Sequence, residues 1–255
     1  MKLLIVEDDA LHRAYLHEAV LSALPECGQV IEAGDGQSGE QMAREHKVER
    51  IVMDLQMSPR NGIEAARAIW QERPGTSILF WSNYADEANV RGIARIVPKG
   101  AVYGYVLKSA SEERLRLALR SIFIEAQIVI DREVWGLQQR GSSAAQGLSE
   151  SEYEVLVDIA LGLTDRMIAR RRRLSLRSVQ NRLQSIYEKL DVYQSAPDGA
   201  GGGEAAFNLR ARAVTMAFLR KLLNHTALER AEADLSHWLQ RLERQAHTVE
   251  LPDPQ

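Results

Sequence analysis

The stretch IVMDLQMSPRNG, residues 51–62, decides the fold of the first half of this chain. It opens with three apolar residues, as in a buried strand of a parallel sheet, and the run ends in the carboxylate of Asp54. Pro59, Asn61 and Gly62 then supply the turn chemistry that leads into a helix. Functional groups collect at the carboxyl ends of parallel strands, so Asp54 is a candidate functional residue. Taken alone, the same aspartate is equally consistent with a helix cap or a turn.

Strand-like and helix-like patterns alternate on both sides of this stretch. The predicted strands are residues 2–6, 29–33, 51–53, 77–81 and 102–107. The predicted helices are residues 10–24, 37–46, 62–72, 86–96 and a last helix capped by Ser111. In the first of these helices, the apolar positions Leu11, Tyr15, Ala19 and Leu21 have near-helical spacing, and Pro25 ends the helix. Five alternating pairs predict an α/β fold with a five-stranded, doubly wound parallel sheet.

Polar residues stand directly after several of these strands. Glu7 and Asp8 follow the first strand, Asp54 the third, Ser82 the fourth and Lys108 the fifth. The sheet brings these ends to one edge, where clustered carboxylates need a cation. Carboxylate oxygens are the ligands that Mg²⁺ prefers, and a carboxylate can accept a phosphoryl group. The pattern therefore predicts a magnesium and phosphoryl site, with Ser82 and Lys108 meeting the developing negative charge.

The motifs LLIVEDD, IVMDLQM with the following NG, the strand-end Ser82 and the motif YVLK resemble those of bacterial response-regulator receiver domains. The resemblance covers residues 1–127 and implies a flavodoxin-like fold. It implies that a sensor histidine kinase phosphorylates Asp54, and that Mg²⁺ is held by Glu7, Asp8, Asp54 and the backbone carbonyl of Gln56.

The same resemblance implies roles for three residues at the ends of the later strands. Ser82 and Lys108 would bind the phosphoryl oxygens. Tyr105 would reorient when the hydroxyl of Ser82 is drawn inward. Without the resemblance, Lys108 is also consistent with an ordinary surface lysine and Tyr105 with core packing.

The composition is that of a globular protein: 255 residues, 45% apolar, 26% charged, with a formal net charge of -3. Cys27 is the single cysteine, so no intramolecular disulfide forms. The first residues are too short an apolar run for a signal peptide or a membrane span. We therefore expect a cytoplasmic protein that does not enter a membrane.

Residues 128–147 are predicted to be a helical extension that ends in a flexible Gly- and Ser-rich linker. After it, Ser149 with Glu152 forms a capping-box pattern, and Gly162 ends the helix that follows. Thr164 is predicted to cap a second helix, and Ser175 or Ser178 a third. A short helix, a tight turn and a longer helix predict a helix-turn-helix unit over residues 148–223.

Basic residues crowd this unit within an otherwise acidic chain, as expected for contact with DNA phosphates. On the third helix Gln180, Asn181 and Gln184 lie within about one turn, and such side chains can bond an adenine edge in the major groove. The alternative is an exposed basic helix that binds nothing. The basic residues concerned are Arg166, Arg170, Arg171, Arg172, Arg173, Arg177, Arg182 and Lys189.

The segments LSESEYEVLVDIALGLTDRMIA and SLRSVQNRLQSIYEKLDV resemble the LuxR-class DNA-binding domain. The resemblance places Gln180, Asn181 and Gln184 at base-reading positions. It makes Arg166, Arg177, Ser178 and Lys189 phosphate contacts, with Arg182 in the same basic patch.

Three features depart from the pattern of the LuxR class. Arg172 stands where a core apolar residue is usual, so it must either reach outward or shift the second helix. Asp191 replaces the glycine that ends the recognition helix. A Gly-rich insertion at residues 194–206 precedes the last helix of the class, which resumes over residues 210–223.

A further helix is predicted over residues 226–247, capped by Thr226. Leu228, Leu235 and Leu242 recur every seven residues, with Ala231 and Trp238 between them. This seam predicts a dimerisation helix and hence a homodimer. A helix that packs back on its own domain through Trp238 explains the pattern equally well.

These observations predict a two-component response regulator that binds double-stranded DNA and controls transcription. It would assist its own phosphorylation and hydrolysis without being an enzyme. An alternative is a phosphorylation-switched protein-interaction module that has lost specific DNA binding. A third, weaker hypothesis is a phosphotransfer intermediate, for which the second unit would be superfluous.

Overall fold

The computed structural model describes residues 1–142, 147–192 and 208–249. The chain divides into two compact units, Met1–Gln139 and Arg140–Gln255. The predicted insertion at residues 194–206 lies outside the described residues, as does part of the predicted linker. Within the described residues, no helix combines the length and the apolar character needed to cross a membrane.

The first unit alternates strands and helices. Its strands are β1 (Lys2–Val6), β2 (Gln29–Ala33), β3 (Arg50–Met53), β4 (Ser77–Ser82), β5 (Tyr103–Leu107) and β6 (Val129–Ile130). Its helices are α1 (Ala10–Ala23), α2 (Gly36–Glu45), α3 (Gly62–Glu72), α4 (Glu87–Ala94), α5 (Glu112–Phe123) and α6 (Arg132–Ser142).

All neighbouring strands pair in parallel, in the order β2-β1-β3-β4-β5-β6. The predicted doubly wound parallel sheet is confirmed, but it has six strands rather than five. In the sixth strand Val129 pairs with Gly104 and Ile130 with Tyr105. The predicted helical extension over residues 128–147 therefore begins with a strand. This strand was not predicted because two residues are too few to give a recognisable strand pattern.

Asp131 fixes the end of this sixth strand against β5. Its backbone N–H donates to the carbonyl of Tyr105 at 3.0 Å. Its carboxylate accepts hydrogen bonds from the backbone N–H of Leu107 at 2.8 Å and from Nε of Arg114 at 3.1 Å. The chain's own extension therefore covers β5, the strand that carries Tyr105, and β6 forms the edge of the sheet.

The sheet is buried on both faces, which explains why its strands are almost continuously apolar. Leu4, Met53, Phe80 and Tyr105 belong to the core on one face. The residues that alternate with these along the same strands, which include Trp81, pack against α1 and α5 on the other face of the sheet. Side chains that stand at the strand ends are therefore held by a rigid scaffold.

Of the four apolar residues whose spacing indicated α1, only Ala19 is buried. The buried residues are Leu16, Ala19, Val20 and Ala23, whereas Leu11 is 82% exposed. Tyr15 is 39% exposed and Leu21 is 48% exposed. Apolar residues lie on more than one side of this helix, and spacing alone did not show which side meets the sheet.

The second unit is helical. It contains α7 (Glu150–Ala160), α8 (Asp165–Arg172), α9 (Leu176–Lys189), α10 (Leu209–Leu219) and α11 (His225–Val249). One hydrophobic core joins α7, α8, α9 and α10. Leu228 and Ala231 of α11 pack against this core, and Leu235 is buried.

The packing of α11 uses the first two leucines of the seven-residue seam within the unit. This arrangement matches the alternative of a helix that packs on its own domain, although Trp238 is only half-buried. A dimer contact through this seam therefore stays a prediction.

Capping side chains set the helix boundaries. The capping box of Ser149 and Glu152 is present, and Thr164 caps α8 as predicted. Of the two serines proposed for α9, Ser175 is the cap. The prediction for α11 was wrong by two residues, because the Asn224 side chain accepts the N–H of Ala227 and the helix begins at His225.

Candidate functional site

Asp54 follows β3 at the carboxyl edge of the sheet, where its side chain is almost fully buried. One carboxylate oxygen accepts the backbone N–H of Leu55 at 2.7 Å. Burial raises the pKa of the Asp54 carboxyl above its ordinary value, and the Lys108 charge opposes this shift. Gly62 lets the chain turn this tightly, because a Cβ there would lie 1.9 Å from the carbonyl oxygen of Asp54.

Three carboxylates meet at this edge. Glu7, Asp8 and Asp54 can each direct one oxygen so that all three oxygens lie within 4.8 Å of one another. Glu7 is fully buried, whereas Asp8 is exposed and opens the cluster to solvent. Burial and the nearby Asp54 charge raise the pKa of Glu7, and Lys108 opposes that shift.

The Lys108 ammonium bridges two of these carboxylates. Its Nζ lies 2.8 Å and 3.0 Å from the two oxygens of Glu7 and 3.4 Å from Oδ2 of Asp54. The lysine side chain is only 6% exposed. It is therefore not the ordinary surface lysine that the sequence left open. Its backbone N–H donates to the Ser82 carbonyl at 2.8 Å, which ties the ends of β4 and β5 together.

Ser82 ends β4, the neighbour of β3, and Tyr105 lies on β5, the next strand of the sheet. The Ser82 side chain is fully buried, and its hydroxyl oxygen is 3.5 Å from the backbone N–H of Tyr84. Tyr105 is turned inward and donates its hydroxyl to the carbonyl of Tyr84 at 2.7 Å. Burial raises the pKa of Tyr105 to about 12. The structure thus brings both predicted switch residues to the acidic edge.

Gln56 was predicted to offer a backbone carbonyl to a metal ion. Its backbone N–H faces the Asp54 carboxylate and opposes the rise in the pKa of that group. The carbonyl role remains a prediction. The third acid of the N-terminal run, Asp9, caps α1 by accepting the N–H groups of Leu11 and His12.

In the second unit, the recognition helix α9 presents a polar face to solvent. Arg177 is followed after three, four and seven residues by Gln180, Asn181 and Gln184, and all four side chains are exposed. Val179 and its apolar neighbours Leu183 and Ile186 are buried on the opposite side. Arg166, on α8, is exposed as well. The three predicted base-reading residues therefore share one accessible face.

The other predicted phosphate contacts are less available. Ser178 and Arg182 are half-buried, and Arg182 donates to the Ser178 carbonyl at 3.2 Å. The ammonium of Lys189 lies 2.8 Å from Glu152 of α7, which also accepts the Ser185 hydroxyl at 2.6 Å. Lys189 thus fastens α9 to α7, and a phosphate contact would compete with this pair.

The basic cluster is also better neutralised than the sequence indicated. Asp158 of α7 is fully buried and pairs with both Arg171 and Arg172 of α8. Nη1 of Arg172 also lies 3.0 Å from Oε1 of Glu154. Arg172 can occupy this position of α8 because it forms an ion pair with the buried carboxylate of Asp158.

Residues 3–120 match the family model described as the response regulator receiver domain. The acidic edge, Lys108 and Ser82 lie within that match. This part of the chain is therefore a response regulator receiver domain.

Its relatives extend the similarity beyond the receiver domain. The transcriptional regulatory protein LiaR of Bacillus subtilis (strain 168) is 28% identical over 199 residues, which cover 75% of this chain and 92% of LiaR. The oxygen regulatory protein NreC of Staphylococcus haemolyticus (strain JCSC1435) is 29% identical over 211 residues, which cover 78% of this chain and 94% of NreC.

A solved structure of two RcsB dimers bound to DNA has the same fold, with a TM-score of 0.54 and 20% identity. It covers 86% of this chain and 98% of the RcsB chain. The architecture is a receiver domain followed by a helical unit, and the similarity to these relatives continues into that second unit.

The receiver domain fits a magnesium ion by its donor set. Its three converging carboxylates are hard oxygen ligands, and one of them is open to solvent. Without a cation, buried carboxylates this close would repel one another, and Lys108 supplies that charge in the structure.

His12 and Trp81 of the receiver were not predicted as site residues from the sequence. His12 Nδ1 lies 3.3 Å from Lys108 Nζ and 3.6 Å from Glu7. The Trp81 ring lies beside the same ammonium. His12 follows Asp8 by about one helical turn, and Trp81 directly precedes Ser82. This closeness in sequence to two predicted site residues was the signal that could have identified them.

Proposed function

We propose that this response regulator accepts a phosphoryl group on Asp54 from a sensor histidine kinase and then binds double-stranded DNA to control transcription. The observation that supports this proposal most directly is the contact of the Lys108 ammonium with both Asp54 and Glu7 at the open edge of the sheet. One carboxylate oxygen of Asp54 is thus held beside a cation, as the reaction requires.

In the transfer step, an Asp54 oxygen forms a bond to phosphorus while the bond from phosphorus to the kinase histidine breaks. The histidine nitrogen keeps the electron pair of the broken bond. Glu7, Asp8 and Asp54 would hold Mg²⁺, together with the Gln56 carbonyl, and the chemistry that the ion supplies is neutralisation of oxygen charge. Lys108 and Ser82 would bind the phosphoryl oxygens.

Tyr105 would carry the switch. In the structure it is turned inward and its hydroxyl bonds the Tyr84 carbonyl, on the segment that follows Ser82. A phosphoryl group that draws in Ser82 favours this inward state, so phosphorylation acts by shifting a population rather than by creating a new fold.

The output domain would read DNA through the exposed face of α9. Gln180, Asn181 and Gln184 would contact base edges, and the arginines beside them would position the phosphate backbone. The phosphate contacts that we propose are Arg166, Arg177, Ser178, Arg182 and Lys189. A homodimer would bind two half-sites, and the protein would act in the cytoplasm as a regulator rather than as an enzyme.

The alternative of a module without specific DNA binding was motivated by Arg172, by Asp191 and by the insertion that interrupts the dimer helix; of these, the insertion lies outside the described residues. The first pairs with buried Asp158, and the second adopts the left-handed conformation that a glycine would occupy, with φ of 59°. Both departures are accommodated without disturbing α9, so neither favours the alternative.

The test is chemical mapping of the modified residue. Full-length protein is incubated with phosphoramidate and magnesium, and an aspartyl phosphate is reduced with borohydride to homoserine. Mass spectrometry should find homoserine at position 54 and none in Asp54→Asn. The variant Asp35→Asn, which removes the N-cap carboxylate of α2, should react like the original protein. Homoserine at another position, or none, would contradict the proposal.

A further inference from the structure

Trp81 occupies a special place in the receiver domain. It is the penultimate residue of β4, pairs with Val106 of β5 and is only 3% exposed. The Lys108 ammonium lies over its ring, 4.9 Å from the ring centroid. A lysine ammonium within about 6 Å of an indole centroid is attracted by the ring's electron-rich face.

Two further aromatic rings hold the indole in place. Tyr15 of α1 stacks on it with a centroid distance of 5.9 Å and an interplanar angle of 20°. His12 meets it edge-on at 5.5 Å. The indole is thus fixed by α1 on one side and by the sheet on the other, and it has a defined orientation toward Lys108.

The ammonium contacts two carboxylates, the indole face and Nδ1 of His12, which lies 3.3 Å away. Glu7 and Asp54 attract it through their charges, but these are the groups that the proposed function assigns to metal binding and phosphorylation. The indole face keeps its electron distribution throughout. It is therefore a partner for the ammonium that the reaction does not consume.

We propose that Trp81 is a positioning residue for Lys108: its indole face holds the ammonium at the phosphoryl site by a cation–π contact. The inference rests on the proposed phosphorylation of Asp54. It predicts that the electron-rich face of residue 81, and not merely its volume, matters for the phosphorylation rate.

The competing explanation is plain core packing, since Trp81 also belongs to the hydrophobic cluster between the sheet, α1 and α5. The variants Trp81→Phe and Trp81→Leu separate the two. Both keep an apolar side chain, but only phenylalanine keeps an aromatic face. Trp70→Phe is a matched control, because Trp70 packs against Phe80 and donates to the Thr76 carbonyl, away from Lys108.

The first measurement is the rate of Asp54 phosphorylation by saturating phosphoramidate with saturating magnesium, in full-length protein. We expect Trp81→Leu to be slower by about fivefold and Trp81→Phe to recover most of the rate. Trp70→Phe should react at the original rate. Equal rates in the phenylalanine and leucine variants would overturn the inference.

The second measurement needs neither magnesium nor phosphorylation. With lysines labelled at Cε, NMR should show the Lys108 Hε protons shifted upfield by the indole ring current, and Lys108→Arg assigns that signal. The shift should vanish in Trp81→Leu. A Lys108 signal without a ring-current shift in the original protein would overturn the inference, whatever the folding of the variants.

The two proposals fail in different ways. If the original protein forms no aspartyl phosphate, the proposed function fails while the ring-current measurement still decides the Trp81 contact. If Asp54 is phosphorylated but the leucine variant matches the original rate, only the role of Trp81 is refuted.

Discussion

Arg172 donates hydrogen bonds from Nε and Nη2 to the two oxygens of Asp158, at 2.7 Å and 2.9 Å. The acid is fully buried, and Arg171 reaches one of the same oxygens at 3.0 Å. Burial disfavours the charge on Arg172, but the Asp158 partner prevails and raises the pKa of the guanidinium. This cluster joins the first two helices of the output domain.

Removing the buried acid should destabilise the output domain strongly. Asp158→Ala leaves two arginines without their common partner, and loss of one member of a buried pair costs about 3–5 kcal/mol. Glu154→Gln removes a partly exposed partner of Arg172 and should cost less than about 1 kcal/mol. Urea unfolding of the full chain, followed through the NMR signals of α7 and α8, measures both. Equal effects of the two variants would contradict the account.

Glu152 should make the stability of the output domain depend on pH. Burial favours its neutral form, but hydrogen bonds from Lys189, Ser185 and Ser149 outweigh this and lower the pKa to about 2 from an ordinary 4.5. Because the folded pKa is lower than the unfolded one, the stabilisation is complete above about pH 4.5. It is lost as the pH falls through about 2.

The variant Glu152→Gln tests this linkage. At pH 7 it should destabilise the output domain by about 2 kcal/mol, since charge-assisted hydrogen bonds are lost. The difference between variant and original protein should shrink steadily from about pH 4.5 toward pH 2. The measurement is urea unfolding at a series of pH values, read from signals of α7 and α9. A difference that does not change with pH would refute the assignment.

Asp191 should be a site where glycine stabilises the protein. It ends the recognition helix with φ of 59°, a conformation that side chains other than glycine adopt at a cost. Asp191→Gly should therefore stabilise the output domain by about 0.5–1 kcal/mol, despite the greater freedom of the unfolded chain. Thermal unfolding measures the change.

Gly162 provides the matched control for this prediction. It ends α7 with φ of 81°, so Gly162→Ala should destabilise the domain by about 1 kcal/mol. If Asp191→Gly were also destabilising, the Asp191 side chain would be making a contact that outweighs the backbone strain.

The sequence predicted the sheet and its acidic edge because each central strand is a compact apolar run that ends in a polar residue. It did not predict β6, since two residues form no period and the pairing with Gly104 and Tyr105 depends on the completed sheet. The contact of Trp81 with Lys108 also arises only when β4 and β5 lie side by side.

In the output domain, caps such as Ser149 and Thr164 were predictable because they act within one turn. The pairing of Asp158 with Arg172 was not, because the two residues lie on different helices and an acid on an apolar helix carries no sign of its partner. For the same reason the basic cluster appeared more available to DNA than it is.

Two variants divide the proposed roles of α9. Asn181→Ala removes a base-reading side chain and should cost about 1–3 kcal/mol for the preferred site while relaxing sequence preference. Arg177→Ala should weaken binding to all sequences alike and reduce the salt dependence by about one phosphate contact. Titration of fluorescent duplexes at several salt concentrations measures both effects. Identical behaviour of the two variants would contradict the separate roles.

The central claim is that phosphorylation of the receiver controls sequence-specific DNA binding. Its most direct test is selection from a genomic DNA library with purified full-length protein at physiological salt, with and without beryllofluoride and magnesium. We predict one recurrent DNA motif, which the protein binds more tightly in the activated state. In Asp54→Asn, beryllofluoride and magnesium should no longer strengthen binding to this motif. Recovery of DNA without a common motif, equally in both states, would contradict the account.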